Sequence, residues 1–285
     1  MAQSGVLYVV ATPIGNLGDI SARAREILAT VSVVAAEDTR HSALLLRELG
    51  LERPLVSLHE HNERARAAEL VGRLRAGENI ALVSDAGTPL ISDPGYLLLQ
   101  AALEAGIAVS PVPGPSAAIA ALSASGLPSD RFCFEGFLPS RAIARRRRLA
   151  ALATEMRTLV IYEAPHRIAV CLADLAAACG ESRRACVARE LTKHFETFYR
   201  GSLGELARRA QSDENMARGE SVILVEGAAE QPPGSARLDE TLQILLGFLP
   251  PSAAAAAAAK LTGARRNDAY ERALALAKEA PRDAT

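Results

Sequence analysis

Five short apolar runs recur between Val6 and Val112, and each ends in a break that leads into a helical stretch. They are Val6 to Ala11 (VLYVVA), Val33 to Ala36, Leu55 to Leu58, Ile80 to Val83 and Ile107 to Val112. The runs are continuously apolar rather than alternating, the pattern of strands buried on both faces. The intervening segments carry helical signals. Ile27, Leu28 and Val31 share one face, a helix over His41 to Leu49 stops at Gly50, and Asn62 opens another that Gly77 closes. Strand and helix in strict alternation predict a parallel sheet wound with helices.

The densest punctuation lies between Ala81 and Tyr96 (ALVSDAGTPLISDPGY). The strand Ile80 to Val83 runs into a loop holding Asp85, Gly87, Thr88, Pro89, Ser92 and Asp93, and a helix ending at Gly106 follows. That helix is predicted to start at Asp93-Pro94, with the carboxylate as N-cap and proline in its first turn. Such a loop presents backbone groups to a ligand, and in open α/β sheets ligands bind at the carboxyl ends of the strands. An ordinary strand-to-helix connection needs neither this length nor this rigidity. The first loop, Thr12 to Asp19, is different. Its glycines give only Gly15-x-x-Gly18, so the G-x-G-x-x-G dinucleotide fingerprint is absent, as are a Walker motif and a G-x-S-x-G elbow.

A chain of 285 residues exceeds the usual size of one core, so more than one domain is expected. Ser116 to Ser125 reads as a small helix ended by Gly126-Leu127-Pro128. A second alternation then begins: a strand Phe132 to Phe134, the loop Glu135 to Pro139, a basic helix through Arg145 to Arg148, a strand Leu159 to Tyr162 and a helix ending near Gly180. Strands at Ala185 to Ala188, Glu196 to Tyr199 and Ser221 to Val225 complete it. Gln231-Pro232-Pro233-Gly234-Ser235 reads as a linker, and Leu238 to Lys278 as helical, since alanine, as in Ala253 to Ala259, is the best helix former. The expected division is an α/β domain over 1–118, a second over 119–230, and a helical extension over 237–280.

The formal net charge is −1, so no global basic field advertises nucleic acid, and RNA contact would need local patches. Arg141 with Arg145, Arg146, Arg147 and Arg148 is the densest cluster, and Arg40, Arg167 and Arg265-Arg266 are further candidates. A solvated helix face is the plain alternative, but it does not explain four charges of one sign. Cys133, Cys171, Cys179 and Cys186 lack CxxC spacing and sit in apolar stretches, as buried reduced thiols do. His59-Glu60-His61-Asn62, with His41 nearby in sequence, contains no thiolate, so no metal is expected. No signal segment and no bilayer-length apolar run is read, which predicts a cytoplasmic protein without membrane contact.

Seven motifs occur in a telling order: Pro13-x-Gly15-Asn16-Leu17-x-Asp19-Ile20, Glu37-Asp38-Thr39-Arg40, Ser84 to Gly95, Val112-Pro113-Gly114-Pro115-Ser116-Ala117, Phe134 to Pro139, Glu163-Ala164-Pro165-His166-Arg167, and Arg189-Glu190-Leu191-Thr192-Lys193 with Glu196. Together they resemble the tetrapyrrole-methylase superfamily and, within it, the branch that methylates small-subunit ribosomal RNA. The likeness extends to the C-terminal helices, Thr262-Gly263 to Tyr270. It implies two α/β domains with a small helical extension, the class III fold of S-adenosylmethionine methyltransferases, as a homodimer acting on 16S rRNA within the small ribosomal subunit. The cofactor would lie folded in the cleft between the domains. Carried over by motif position, Pro13, Ala86, Gly87, Thr88, Ile91, Ser116 and Ala117 would line one side, and Tyr162, Glu163, Arg189 and Leu191 the other.

The reaction the resemblance implies is methylation of a cytidine ribose 2′-hydroxyl in the decoding region. Positioning does much of the work in such a displacement, and the hydroxyl needs a base or strong acceptor for its proton. Asp85, Glu190 and Lys193 are the candidates. Lys193 would need a depressed pKa to act as base; protonated, it would steer phosphate. Two other readings stand beside this one: a C-methyltransferase of corrin precursors, and a non-catalytic RNA-binding assembly factor. The arginine cluster and helical extension argue against the first, the intact cofactor loops against the second.

Overall fold

The computed structural model describes residues 4–59, 61–229 and 235–279, in two compact units, Met1–Ala228 and Ala229–Thr285. Glu60 and most of the linker read at 231–235 lie outside the described residues.

The first sheet is the one the apolar runs require. β1 (Val6–Val10), β2 (Val33–Ala36), β3 (Leu55–Ser57), β4 (Ile80–Val83) and β5 (Ala108–Val112) pair in the order β3-β2-β4-β1-β5, all parallel. Alternate side chains leave a strand on opposite faces, and here both faces are covered. Leu7, Val33, Ala35, Ile80 and Leu82 pack against α3 (Glu63–Arg75) and α4 (Tyr96–Glu104). Val10, Val34, Ala36, Ala81 and Val83 pack against α1 (Ala22–Thr30) and α2 (Thr39–Glu48).

Two expected helix caps are corrected. Asp93 does not cap α4, which begins at Tyr96 after a left-handed Gly95; the buried Glu63 carboxylate does, accepting from the amides of Gly95 (3.0 Å) and Leu97 (2.7 Å). Asn62 makes no cap bond to α3. Its side chain accepts from the His59 amide and donates to the Ser57 carbonyl, tying the turn instead.

The second sheet contains β6 (Phe132–Phe137), β7 (Thr158–Glu163), β8 (Arg184–Arg189), β9 (Thr197–Ser202) and β10 (Ser221–Val225), in the order β6-β7-β10-β8-β9. Only β6 and β7 are parallel; β10 lies antiparallel between β7 and β8, and β9 antiparallel to β8. The connection from Arg189 to Thr197 is too short for the helical crossover that parallel strands need. One face of this sheet packs on α6 (Ala142–Leu152), α7 (Ile168–Cys179) and α8 (Leu203–Ser212). On the other, α5 (Ala117–Ser125) places Ala118, Ala121 and Leu122 against Val160, Cys186, Ala188, Val222 and Leu224. Ile14, from the loop after β1, joins that core and brings the first sheet's loops to the second sheet.

Among its described residues the C-terminal unit holds the helices α9 (Ser235–Leu246), α10 (Pro251–Thr262) and α11 (Arg266–Glu279). Leu238, Leu242, Ala254, Ala255, Ala258, Ala269 and Ala273 form its own core. The alanine run supplies the small side chains that let α10 approach both neighbours. No helix among the described residues is long and apolar enough to cross a membrane.

Candidate functional site

A cavity of about 410 Å³ opens where the carboxyl ends of the first sheet's strands meet the second sheet. One wall is the loop after β4. Thr12 fastens that loop to the end of β1: its amide donates to the Gly87 carbonyl (2.8 Å), its carbonyl accepts from the Gly87 amide (3.1 Å), and its hydroxyl donates to the Ser84 carbonyl (3.2 Å). The Thr88 hydroxyl ties the same loop to the Pro115 carbonyl at 3.0 Å. The opposite wall is built from the ends of β7 and β10, with Ala188 and Leu191.

Of the residues singled out in the sequence, Asp85, Ala86, Gly87, Thr88, Ile91, Ser116, Ala117, Tyr162, Glu163 and Leu191 line this cavity. Pro13, Arg189 and two of the catalytic candidates, Glu190 and Lys193, do not. Ile14 takes the place beside Pro13. Arg189 follows Ala188, which faces the cavity side, so strand alternation turns it away; its guanidinium donates to the carbonyls of Arg218 and Phe195. Glu163 lies at the wall with its carboxylate beside Arg167 (3.1 Å), and its Oε2 has no hydrogen-bond partner among the described residues. The Tyr162 hydroxyl accepts from the Ala118 amide at 3.2 Å and so joins α5 to β7.

Backbone strain gathers at this place. Leu90, Ser92, Glu190 and Thr192 are the non-glycine residues with left-handed φ among the described residues, two on each of the loops bordering the cavity. Each such conformation costs on the order of 1–3 kcal/mol and persists where its surroundings enforce it, characteristically at functional sites.

Lys193 is held between two carboxylates, Glu190 at 3.0 Å and Glu220 at 3.1 Å. Burial would lower its pKa, but these hydrogen bonds outweigh burial and raise it. The depressed pKa that a base would need is thus absent, and of the two roles open to Lys193 the protonated one fits its surroundings. Burial likewise works to raise the Glu190 pKa, and the bonds from Lys193 and the Glu220 amide outweigh it, leaving a weak proton acceptor. Gly15 is needed beneath the lysine: a Cβ there would lie 2.5 Å from the Lys193 Cγ.

Ser92, Asp93, Phe137 and Ser221 also line the cavity; sequence reasoning set the first two in the ligand loop without a site role of their own and missed Phe137 and Ser221. Asp93 read as a helix cap because Asp-Pro is a strong start signal; nothing local shows that Glu63 has taken that task. The Asp93 pKa is pushed up to about 6 by burial first, then by Glu37 and Asp85, against a hydrogen bond from Ser84. Asp85 itself accepts from the Asp38 amide at 3.1 Å.

The arginine run divides. Arg145 is buried and paired with Asp174 at 2.7 Å, and Arg146 bonds the other oxygen of that carboxylate at 2.9 Å. Arg148 pairs with Glu135. Arg40 pairs with Asp38, and Arg167 donates to the carbonyls of Leu138 and Pro139. Arg145 and Arg167 thus brace the second sheet and are not free for phosphate. Arg141 and Arg147 are exposed, with no ion pair among the described residues.

Two α/β sheets sharing a cavity at their strand ends are the architecture of a methylase class. The sequence model of the family described as Tetrapyrrole (Corrin/Porphyrin) Methylases matches residues 6–207, and that of the RsmI C-terminal HTH domain matches residues 232–277. Solved structures of this class share the fold. The methyltransferase CobJ superposes with a TM-score of 0.59 at 21% identity, over 80% of this chain and 97% of that one. A uroporphyrin-III C-methyl transferase from Thermus thermophilus, complexed with S-adenyl homocysteine, gives 0.54 at 18% identity, over 78% and 97%. Within the class, the chain belongs to the ribosomal RNA small subunit methyltransferase I family. Members so named from Xylella fastidiosa, Pseudomonas aeruginosa and Escherichia coli O157:H7 are 58%, 54% and 52% identical, each over 95% of this chain and 99%, 97% and 95% of their own.

Proposed function

We propose that the cavity holds S-adenosylmethionine and that the chain carries its methyl to the ribose 2′-hydroxyl of a cytidine in small-subunit ribosomal RNA. One observation carries this reading beyond family membership: a single cavity with apolar walls at Ile14, Ile91, Leu191 and Val222 and carboxylates at Asp85 and Asp93. That combination suits a ligand with an aromatic base at one end and positive charge at the other. The volume falls within the roughly 300–1,000 Å³ of small-molecule sites.

When bound, the cofactor would supply an electrophilic methyl for the 2′-oxygen and would keep the displaced electron pair on its sulfur as a neutral thioether. The chain's own part is to orient, to balance charge and to take the proton. Asp85 and Asp93 face the cavity and supply negative charge, and either oxygen set can accept the hydroxyl proton. Lys193, held between Glu190 and Glu220, takes no proton and fixes those two carboxylates at the border. Arg141, Arg147 and the exposed Arg146 and Arg40 are the remaining phosphate candidates. The substrate in this reading is the assembled small subunit, in the cytoplasm. The enzyme is a homodimer, for which the exposed apolar side chains of α4 (Tyr96, Leu97 and Leu103) offer a face.

The test is transfer of labelled methyl from S-adenosylmethionine to unmethylated small subunits, with naked 16S rRNA in parallel. Alkali-resistant label at one cytidine is expected. Cofactor binding without label on either RNA, or label on a base, overturns the reading.

A further inference from the structure

The segment Phe134-Glu135-Gly136-Phe137 has no task in the reading above, yet its backbone departs from a regular strand. β6 pairs with β7 as Phe132↔Thr158, Cys133↔Leu159 and Phe134↔Val160, then skips Glu135 and resumes as Gly136↔Ile161 and Phe137↔Tyr162. Cys133 donates to Glu135, and Glu135 pairs with Arg148 on α6, so both point to the α6 side. By strict alternation Phe137 would join them. The extra residue turns it to the opposite face, beside Phe134 and Tyr162. Gly136 makes the turn possible, with φ +61° and Ser92 Oγ 2.9 Å from where a Cβ would stand. Bulges commonly re-aim a side chain next to an active site.

The result is a phenylalanine at the cavity rim, 57% exposed. Its ring meets Tyr162 in a T-shaped contact, 5.6 Å between centroids at 64°, while most of its surface stays open to solvent. A fold that bends a strand to hold an aromatic ring in water at the mouth of a site needs a partner for that ring. Resting on the functional reading above, we infer that Phe137 is the platform on which the base of the target nucleotide stacks. The reacting 2′-oxygen sits one bond from the carbon next to the glycosidic carbon. A ribose brought to the cavity therefore places its own base within reach of the rim. That base has left its neighbours in the RNA, and an aromatic side chain replaces the lost stacking. The cofactor's base is served by the enclosed apolar walls rather than by an exposed ring.

The experiment compares the wild-type chain with Phe137→Ala and Phe137→Trp. It measures kcat and KM on unmethylated small subunits and, separately, S-adenosylmethionine Kd by calorimetry. Base–aromatic stacking predicts a loss of about 10- to 100-fold in kcat/KM for Phe137→Ala, cofactor Kd within twofold of wild type, and recovery of most activity in Phe137→Trp. A cofactor Kd weakened by the same factor assigns the ring to the cofactor and overturns the inference. So does wild-type kcat/KM in Phe137→Ala. Thermal melts of all three confirm the fold, which an exposed side chain does not support. If the wild-type chain itself transfers no methyl to RNA, the functional reading fails first and this inference with it.

Discussion

Asp93 shows how one side chain couples ionisation to the contents of the cavity. Its pKa of about 6 lies above the value of about 3.9 for an unfolded aspartate. The folded chain therefore holds this proton more tightly, and Asp93 lowers stability progressively as pH rises from about 4 to 6. Asp93→Asn is expected to melt higher than wild type at pH 7.5, with the advantage shrinking to nothing at pH 4; thermal denaturation across that range checks it. A cation in the cavity favours the ionised form, so S-adenosylmethionine affinity should rise between pH 5 and 7 and flatten in the variant. Glu63 makes a second residue-scale prediction. Its carboxylate satisfies two amides at the start of α4, and Glu63→Ala leaves them without acceptors at a cost of about 1–3 kcal/mol, measurable by urea denaturation. The Asp93-Pro94 start signal was legible in the sequence and misleading, because the real cap lies some thirty residues away in α3.

At the scale of the element, α6 turns a run of four arginines into different parts. Positions four apart share a helix face, so Arg145 goes inward with Leu149 while Arg146, Arg147 and Arg148 stay out. Burial works to raise the Asp174 pKa, and the bonds from Arg146 and Arg145 outweigh it and hold the carboxyl below its usual range. Removing a partner from a buried pair leaves a charge uncompensated. Asp174→Ala should therefore destabilise by about 3–5 kcal/mol, read from the denaturation midpoint. Arg147→Ala should leave that midpoint unchanged and instead weaken subunit binding, with a shallower salt dependence, since each phosphate contact contributes to that slope. Charge composition was readable in the chain; which charges remain available depended on carboxylates contributed by α7 and β6.

For the whole molecule, the two compact units carry separate cores. A chain ended after Ala228 is expected to keep its melting temperature and cofactor affinity, since its sheet cores and the cavity lining lie within the first unit. Calorimetry on the shortened chain tests both. Much of that first unit was legible. Continuous apolar runs identify β1, β2, β4 and the strands buried in the second sheet because a two-face-buried strand tolerates little else. Glycine and proline mark the loops because few other residues adopt those backbone conformations. Seven motifs in order identified the family before any contact was known.

The sequence by itself therefore determined the alternation of elements, the position of the ligand loop and the family, because each is written in the local chemistry of a few neighbouring residues. Tertiary structure alone decided that Lys193 is a fixed cation, that Asp93 faces the cavity, that Arg145 is a brace and that Phe137 stands at the rim. In each case the deciding partner comes from elsewhere in the chain: Glu220, the Glu63 that caps α4 in place of Asp93, Asp174, and the β7 register past which β6 bulges. A side chain's charge and direction follow from what surrounds it, and the fold alone assembles those surroundings.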